Sequence, residues 1–432
     1  MIFAIIISSI ALISMILLII FLPQIKIFGR NFDTFYIPIL IAAIIFLITP
    51  YLDNKLLFDI LTSNTQINHL KIIVLFISVS FISITLDESG FLSYIANVFI
   101  TKYKKSQMKL FIGIYILSSI LTIFTSNDIV ILTFTPFILY FSKKGKINPI
   151  PYLVMEFVAA NTWSMLLSIG NPTNIYLSSV FEISFLDYFI KMIIPTIITG
   201  IFSFIILFIL FRKQLKKEIE QFDNKENKIN DKLLCIISLI HLSITIILLS
   251  IANYINIESY FITLLLASSL LIFLIIYAII RKKTKIVISP LRRIPYTIIP
   301  FILSMFVIII TLNEYHIFEN INKLFNQIEN EKLRSMMFLF TSILSCNILN
   351  NIPMTLAYSC ILDGSSITSI YATIIGSNLG AILTPIGALA GIMWIRILKI
   401  NDINYSFKDF IKNGAIILLF TLIGTTISIL IL

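Results

Sequence analysis

The sequence predicts an all-α integral membrane protein: about 10 transmembrane helices and two re-entrant hairpins, arranged as an inverted repeat. Three observations predict it. Apolar residues make up 58% of the chain and charged residues 12%, with a mean hydropathy of +1.00, whereas soluble domains carry roughly 25% charged residues. Charge-poor stretches long enough for ~30 Å of hydrocarbon recur along the chain. Inside those stretches lie polar and helix-breaking residues, in two sets that match in order.

The plainest spans are 1–22, 35–50, 189–211, 233–252, 259–280 and 410–432. In lipid the backbone must bond to itself, so a helical bundle is expected, and the alternation of a strand barrel is absent. The first 22 residues lack a basic leader and a small-residue cleavage site, so they read as a retained span.

Lys and Arg set the orientation. They cluster at Lys26–Arg30, Lys102–Lys109, Lys143–Lys146, Arg212–Lys232, Arg281–Arg293 and Arg396–Lys412, the pattern of cytoplasmic loops rather than of a nucleic-acid groove. Two segments break the alternation. Between Lys109 and Lys143 lie two apolar runs of about 15 residues around Ser126-Asn127-Asp128, too short to cross at 1.5 Å per residue. A hairpin over 109–142, entering from the cytoplasm and returning, accounts for them. Residues 335–362 form its counterpart, entering from the outer side and turning near Asn350-Asn351. Irregular backbone at membrane depth is tolerated only against protein or a cavity, so the two hairpins point to a central site.

A broken helix follows each hairpin, over 149–181 and over 366–395. The breaks read Asn161-TWSMLLSI-Gly170 and Asn378-LGAILTPI-Gly387, both Asn-x8-Gly with Leu sixth and Ile ninth. These elements divide the chain into a first repeat over 1–211, a cytoplasmic linker over 212–232 and a second repeat over 233–432. Unwinding at Gly170-Asn171-Pro172-Thr173-Asn174 frees backbone groups and half-helix ends, and the amides and hydroxyls of Asn161, Asn171, Thr173 and Asn174 complete a polar site. Asn378, Thr384, Pro385 and Gly387 repeat it. The linker is charged and reads as solvated. Residues 90–105 are amphipathic and read as a helix on the membrane surface.

Four stretches carry a resemblance: FISITLDESGFLSYIANVF (81–99), SNDIVILTFTP (126–136), AANTWSMLLSIGNPTN (159–174) and SCNILNNIPMTL (345–356). Together they resemble the arsenite efflux permeases, a branch of the superfamily that also holds citrate and dicarboxylate-sodium symporters. The resemblance implies a scaffold domain and a transport domain that moves as an elevator, often in a homodimer. It implies one half-site from Ser126, Asn127 and Asp128 with Gly170, Asn171, Thr173 and Asn174. It implies another from Asn347, Asn350 and Asn351 with Thr384, Pro385 and Gly387. Dicarboxylate carriers have Ser-Asn-Thr at both tips, and this chain departs from that with Asp128 at the first and Asn350-Asn351 at the second.

Asp128 repels a di- or trianion and suits a cation, a proton or a neutral polyhydroxy species such as As(OH)3. It reads either as a coupling site or as the cap of the returning helix. Glu156, in the first half of its broken helix, reads either as a second coupling group or as a glutamate at the domain interface. The function expected is efflux of a small inorganic solute across the cytoplasmic membrane, driven by proton or membrane potential. A sodium- or proton-coupled citrate or dicarboxylate carrier and a sodium/proton antiporter stay open. The partners expected are the lipid bilayer, the solute and the coupling proton or sodium.

An enzyme would need convergent catalytic groups, and His69, His241 and His316 are far apart without a motif. His241 reads as a packed or interhelical histidine, and Asp87-Glu88 as helix caps or gate contacts. Cys235, Cys346 and Cys360 make neither metal nor disulfide spacing, so no metal or cofactor is expected. No phosphate-binding loop occurs, so ATP coupling would require a separate subunit.

Overall fold

A computed structural model describes residues 1–22, 24–27, 30–52, 55, 69–103, 106–216, 219, 229–252 and 254–431; most of the linker expected over 212–232 lies outside them. Helix α1 (Ile2–Phe21) leads through an antiparallel ribbon of β1 (Gln24–Ile27) and β2 (Arg30–Asp33) to α2 (Ile37–Ile48). The ribbon is a small exception to the all-α reading and lies between two spans. Helix α3 (His69–Glu88) and α4 (Phe91–Tyr103) precede a hairpin of α5 (Gln107–Phe124) and α6 (Asn127–Lys144). Then come α7 (Ile150–Trp163), a 3-10 turn at Ser168–Gly170, α8 (Pro172–Val180) and the long α9 (Phe185–Phe211).

After α10 (Lys232–Ile251), α11 (Ser259–Arg281) and α12 (Lys285–Arg293), the order returns. Helix α13 (Ile298–Glu314) takes the place of α3, and the short amphipathic α14 (Ile317–Asn326) that of α4. A hairpin of α15 (Glu331–Leu349) and α16 (Asn351–Ile361) follows. Helix α17 (Ile367–Gly380), a 3-10 turn at Pro385–Gly387, α18 (Leu389–Ile400) and α19 (Phe407–Ile431) complete the series.

The two series run in opposite directions. Helices α9 and α19 pack antiparallel, with Thr199 Oγ1 3.2 Å from Thr425 Oγ1 and the Phe202 ring against Phe420. The mouth of the first hairpin lies by the end of α9, where Asn148 donates to Gln214 Oε1 at 2.8 Å. The mouth of the second lies by the end of α19, where Lys332 donates to the Leu430 carbonyl at 3.0 Å. Antiparallel α9 and α19 therefore open the hairpins to opposite faces.

Among the described residues, eight helical segments are long and apolar enough to cross a membrane, and α5 is one of them. The hairpin arms are longer than the expected 15 residues, at 18 each for α5 and α6. Arm length therefore does not make this hairpin re-entrant. Its tip does: Ser126 and Asn127 are buried, and Asn127 meets Asn161 near the end of α7, with the joint and α8 still to come. The interior is close-packed where small residues allow it. A Cβ on Gly376 would strike Ser342 and one on Gly380 would strike Cys346, so this pair, four residues apart, lets α17 lie directly on α15. Trp394 of α18 stacks obliquely on Phe157 of α7 and edge-on to Phe410 of α19, tying the two series together.

Candidate functional site

Helix ends build the site. At the first tip Ser126 caps α6, its hydroxyl accepting from Ile129 N at 3.4 Å; at the second Asn350 caps α16 through Ile352 N at 3.4 Å. The caps fix how the two tips correspond. Ser126 corresponds to Asn350 and Asn127 to Asn351, because the capping side chain, not the Asn-rich pattern, fixes where each helix starts. Asn127 and Asn351 are then the first residues of their returning helices, and each carries a buried Oδ1 with no hydrogen-bond partner among the described residues. Asn350 holds φ 74° and ψ 154°, a conformation costly for any residue but glycine, and its amide donates to the Ile386 carbonyl at 2.8 Å.

Backbone carbonyls fix which way the amides point. Asn161 Nδ2 donates to Phe157 O, four residues back, at 2.8 Å, so its Oδ1 faces Asn127 and accepts from Asn127 Nδ2 at 3.2 Å. The free atom on Asn127 is therefore its oxygen. Asn378, in the corresponding place of the second series, makes the same bond to Ile374 O at 2.8 Å. Its Oδ1 accepts from Asn171 Nδ2 at 2.8 Å and Ser164 Oγ at 3.0 Å, and its Nδ2 donates to Asn174 Oδ1 at 2.7 Å. Asn174 Nδ2 is spent on Ser164 O, and Asn171 Oδ1 caps α8 through Thr173 N. Thr173 Oγ1 takes a bond from Ser377 Oγ at 3.0 Å. Asn347 donates to the Ile343 and Gly380 carbonyls and accepts from Thr384 Oγ1 at 2.6 Å.

The residues singled out in the sequence thus fall into two kinds. Asn171, Thr173, Asn174 and Asn378 hold one another across the two series, and Asn347 and Thr384 brace the second joint. Gly170 and Gly387 sit where a Cβ would meet backbone atoms of Ser164 and of Gly380 and Ala381. Pro385 opens the second 3-10 turn. Asn127, Asn351 and Asp128 keep acceptors unused. Asp128 lies in the first turn of α6, half-buried, and among the described residues its carboxylate forms no hydrogen bond or ion pair. Ser126 does the capping, so the cap reading of Asp128 does not hold. Its charge still lies at the favourable end of the helix dipole.

Comparison with known proteins agrees with this architecture. The sequence profile described as citrate transporter matches residues 1–369. The chain belongs to the citrate transporter family. It is similar to the arsenical pump membrane protein of Escherichia coli, 26% identical over 363 residues that span 80% of this chain and 82% of the relative. The arsenical pump membrane protein of Yersinia enterocolitica is 25% identical over 364 residues, 80% and 82% of the two chains. The resemblance to arsenite permeases is thereby borne out. In fold the chain is similar to the YdaH transporter of Alcanivorax borkumensis, with a TM-score of 0.62 over 99% of this chain and 97% of the other at 11% identity. This family member is a multi-pass membrane transporter.

Other residues find their places in this transporter. Glu156 is wholly buried between α7 and α6 and accepts from Thr135 Oγ1 at 3.1 and 3.3 Å. It faces the hairpin. His241 bridges the Ile237 carbonyl at 2.8 Å and Ser269 of α11 at 3.3 Å, an interhelical role. The three cysteines are unpaired, and no group of three His, Cys, Asp or Glu side chains suited to a metal occurs among the described residues. Sequence reading missed Ser164 and Ser377, which complete the Asn378 network. Their only signal was position, on the same helix ends as Asn161 and Asn378.

Proposed function

We propose that this chain is a secondary transporter of the cytoplasmic membrane that exports a small neutral hydroxide of the arsenite or antimonite type, coupled to proton or membrane potential. The observation that carries the reading is the Asp128 carboxylate, without a cationic partner among the described residues, one residue from the orphaned Asn127 oxygen. A tip whose unused groups are oxygens needs a ligand that donates hydrogen bonds or bears positive charge. As(OH)3 brings three O–H donors, and a proton or sodium ion brings charge. A citrate or dicarboxylate brings further acceptors and negative charge. The hairpins, joints and α9/α19 belong to a transport domain that slides as an elevator against the helices around α3, α10 and α11. Glu156 is the second coupling candidate, since a buried carboxylate with only a hydroxyl donor is costly to keep charged.

The organic-anion reading keeps one support. Helices α6, α8 and α16 begin at the tips and the first joint, and helix N-termini favour anions. Uptake into everted vesicles separates the readings. Arsenite accumulation under an imposed proton gradient, abolished by an uncoupler and by Asp128→Asn, is expected. Accumulation of citrate with sodium, and none of arsenite, would replace this reading with the other.

A further inference from the structure

One helix, α3, bears two unlike features at its ends. Near its start, Lys71, Ile72 and Leu75 form a wall of a cavity of about 440 Å³. Ser168 and Ile169 of the first joint and Ser178 and Ser179 of α8 line it too. Lys71 pairs with Glu258 at 2.7 Å, but both lie on the α3/α11 wall. Among the described residues no side-chain hydrogen bond or ion pair joins Lys71, Ile72 or Leu75 to these residues of the joint and α8. The Lys/Arg distribution places this end of α3 on the outer side.

Sixteen residues on, about 24 Å along the helix, the same two bodies are fastened together. Arg293 of α12 binds Asp87 at 2.6 Å and Glu88 at 2.8 Å, and Ser289 donates to Glu88 at 2.6 Å. Thr133, on the returning helix of the first hairpin, donates to the same Asp87 Oδ2 at 2.9 Å. Asp87 is buried there. Among the described residues, the polar tie from the hairpin to α3 is the Thr133 hydroxyl, on a carboxylate that Arg293 of α12 orients.

We propose that Asp87, Arg293 and Thr133 form the inner lock of the transport cycle, and that the cavity at the other end of α3 is the open outer mouth of the solute path. In this arrangement the first joint is reached from outside while the hairpin is held at the inner face. Release of Thr133 from Asp87 frees the hairpin to move, and the outer cavity closes as it does. Arg293 is a positioning residue: it holds the carboxylate that Thr133 binds. The inference rests on the transporter reading but not on the identity of the solute.

Thiol labelling tests it without any transport assay. The reporter Ser179→Cys is placed in a Cys360→Ser background, where Cys235 and Cys346 are buried, and exposed to a membrane-impermeant maleimide in right-side-out vesicles. The expected result is labelling from outside that falls at least threefold when Thr133→Val or Arg293→Gln is added, and that Thr133→Ser preserves. Misfolding would raise labelling, so a fall reports closure. Absence of outside labelling in the parent reporter overturns the proposal. So does labelling that is unchanged or raised in Thr133→Val.

Discussion

Asn378 Nδ2 lies 2.7 Å from Asn174 Oδ1, joining the end of α17 to the start of α8 across the two halves of the molecule. The side chain of Asn161, its counterpart, bonds Asn127 and the Phe157 carbonyl, both in its own half. Equivalent residues therefore do unequal work.

That inequality predicts unequal costs. Asn378→Ala takes the acceptor from the Asn171 amide and the 2.7 Å donor from Asn174 Oδ1, while Ser164 keeps the Asn161 carbonyl, and is expected to cost about 3 kcal/mol or more; Asn161→Ala takes the acceptor from the Asn127 amide and is expected to cost about 1–2 kcal/mol. Thermal unfolding of the two variants in detergent gives the order, and equal losses would contradict the clasp.

Among the described residues Asp128 touches no other side chain through a hydrogen bond, so its replacement should spare the fold. Asp128→Asn is expected to shift the melting temperature by less than about 2 °C while removing the gradient dependence of transport. Full activity with the same ion dependence would remove Asp128 from coupling.

Glu156 and Thr135 are expected to be coupled. Thr135→Val leaves the buried carboxyl without its donor and should cost about 1–3 kcal/mol in the parent protein. The same change should cost less in Glu156→Gln, which carries no charge to stabilise. A double-mutant cycle on unfolding measures the difference, and a coupling near zero would show that the hydroxyl does not support Glu156.

Gly170 has no room for a side chain: a Cβ there would run into the Ser164 carbonyl, which is backbone and cannot swing away. Gly364, at φ +67°, faces open space. Gly170→Ala is expected to abolish transport and to lower expression severalfold, whereas Gly364→Ala should cost about 1 kcal/mol of backbone strain and keep transport. Vesicle uptake and membrane yield of the two variants compare them directly.

Much of this architecture was legible in the chain itself. An amide or a Gly-Pro pair at membrane depth is expensive unless it faces protein or a cavity, so Asn127, Asn161, Gly170, Asn350 and Gly387 marked the hairpins and joints without any structure. The Lys/Arg clusters set the expected orientation for an equally direct reason. The place of Asn378 beside Asn171 and Asn174 was not legible. These residues are 207 and 204 positions apart in sequence, and only the inversion of one half against the other brings them together. The same holds for the bond from Thr133 to Asp87 and for the cavity at the far end of α3. Local chemistry determined where the helices break and which residues are polar there. The tertiary structure alone decided which amides spend their hydrogen bonds on each other and which oxygens, on Asn127, Asn351 and Asp128, remain unspent. An amide's satisfaction depends on neighbours that sequence spacing does not specify.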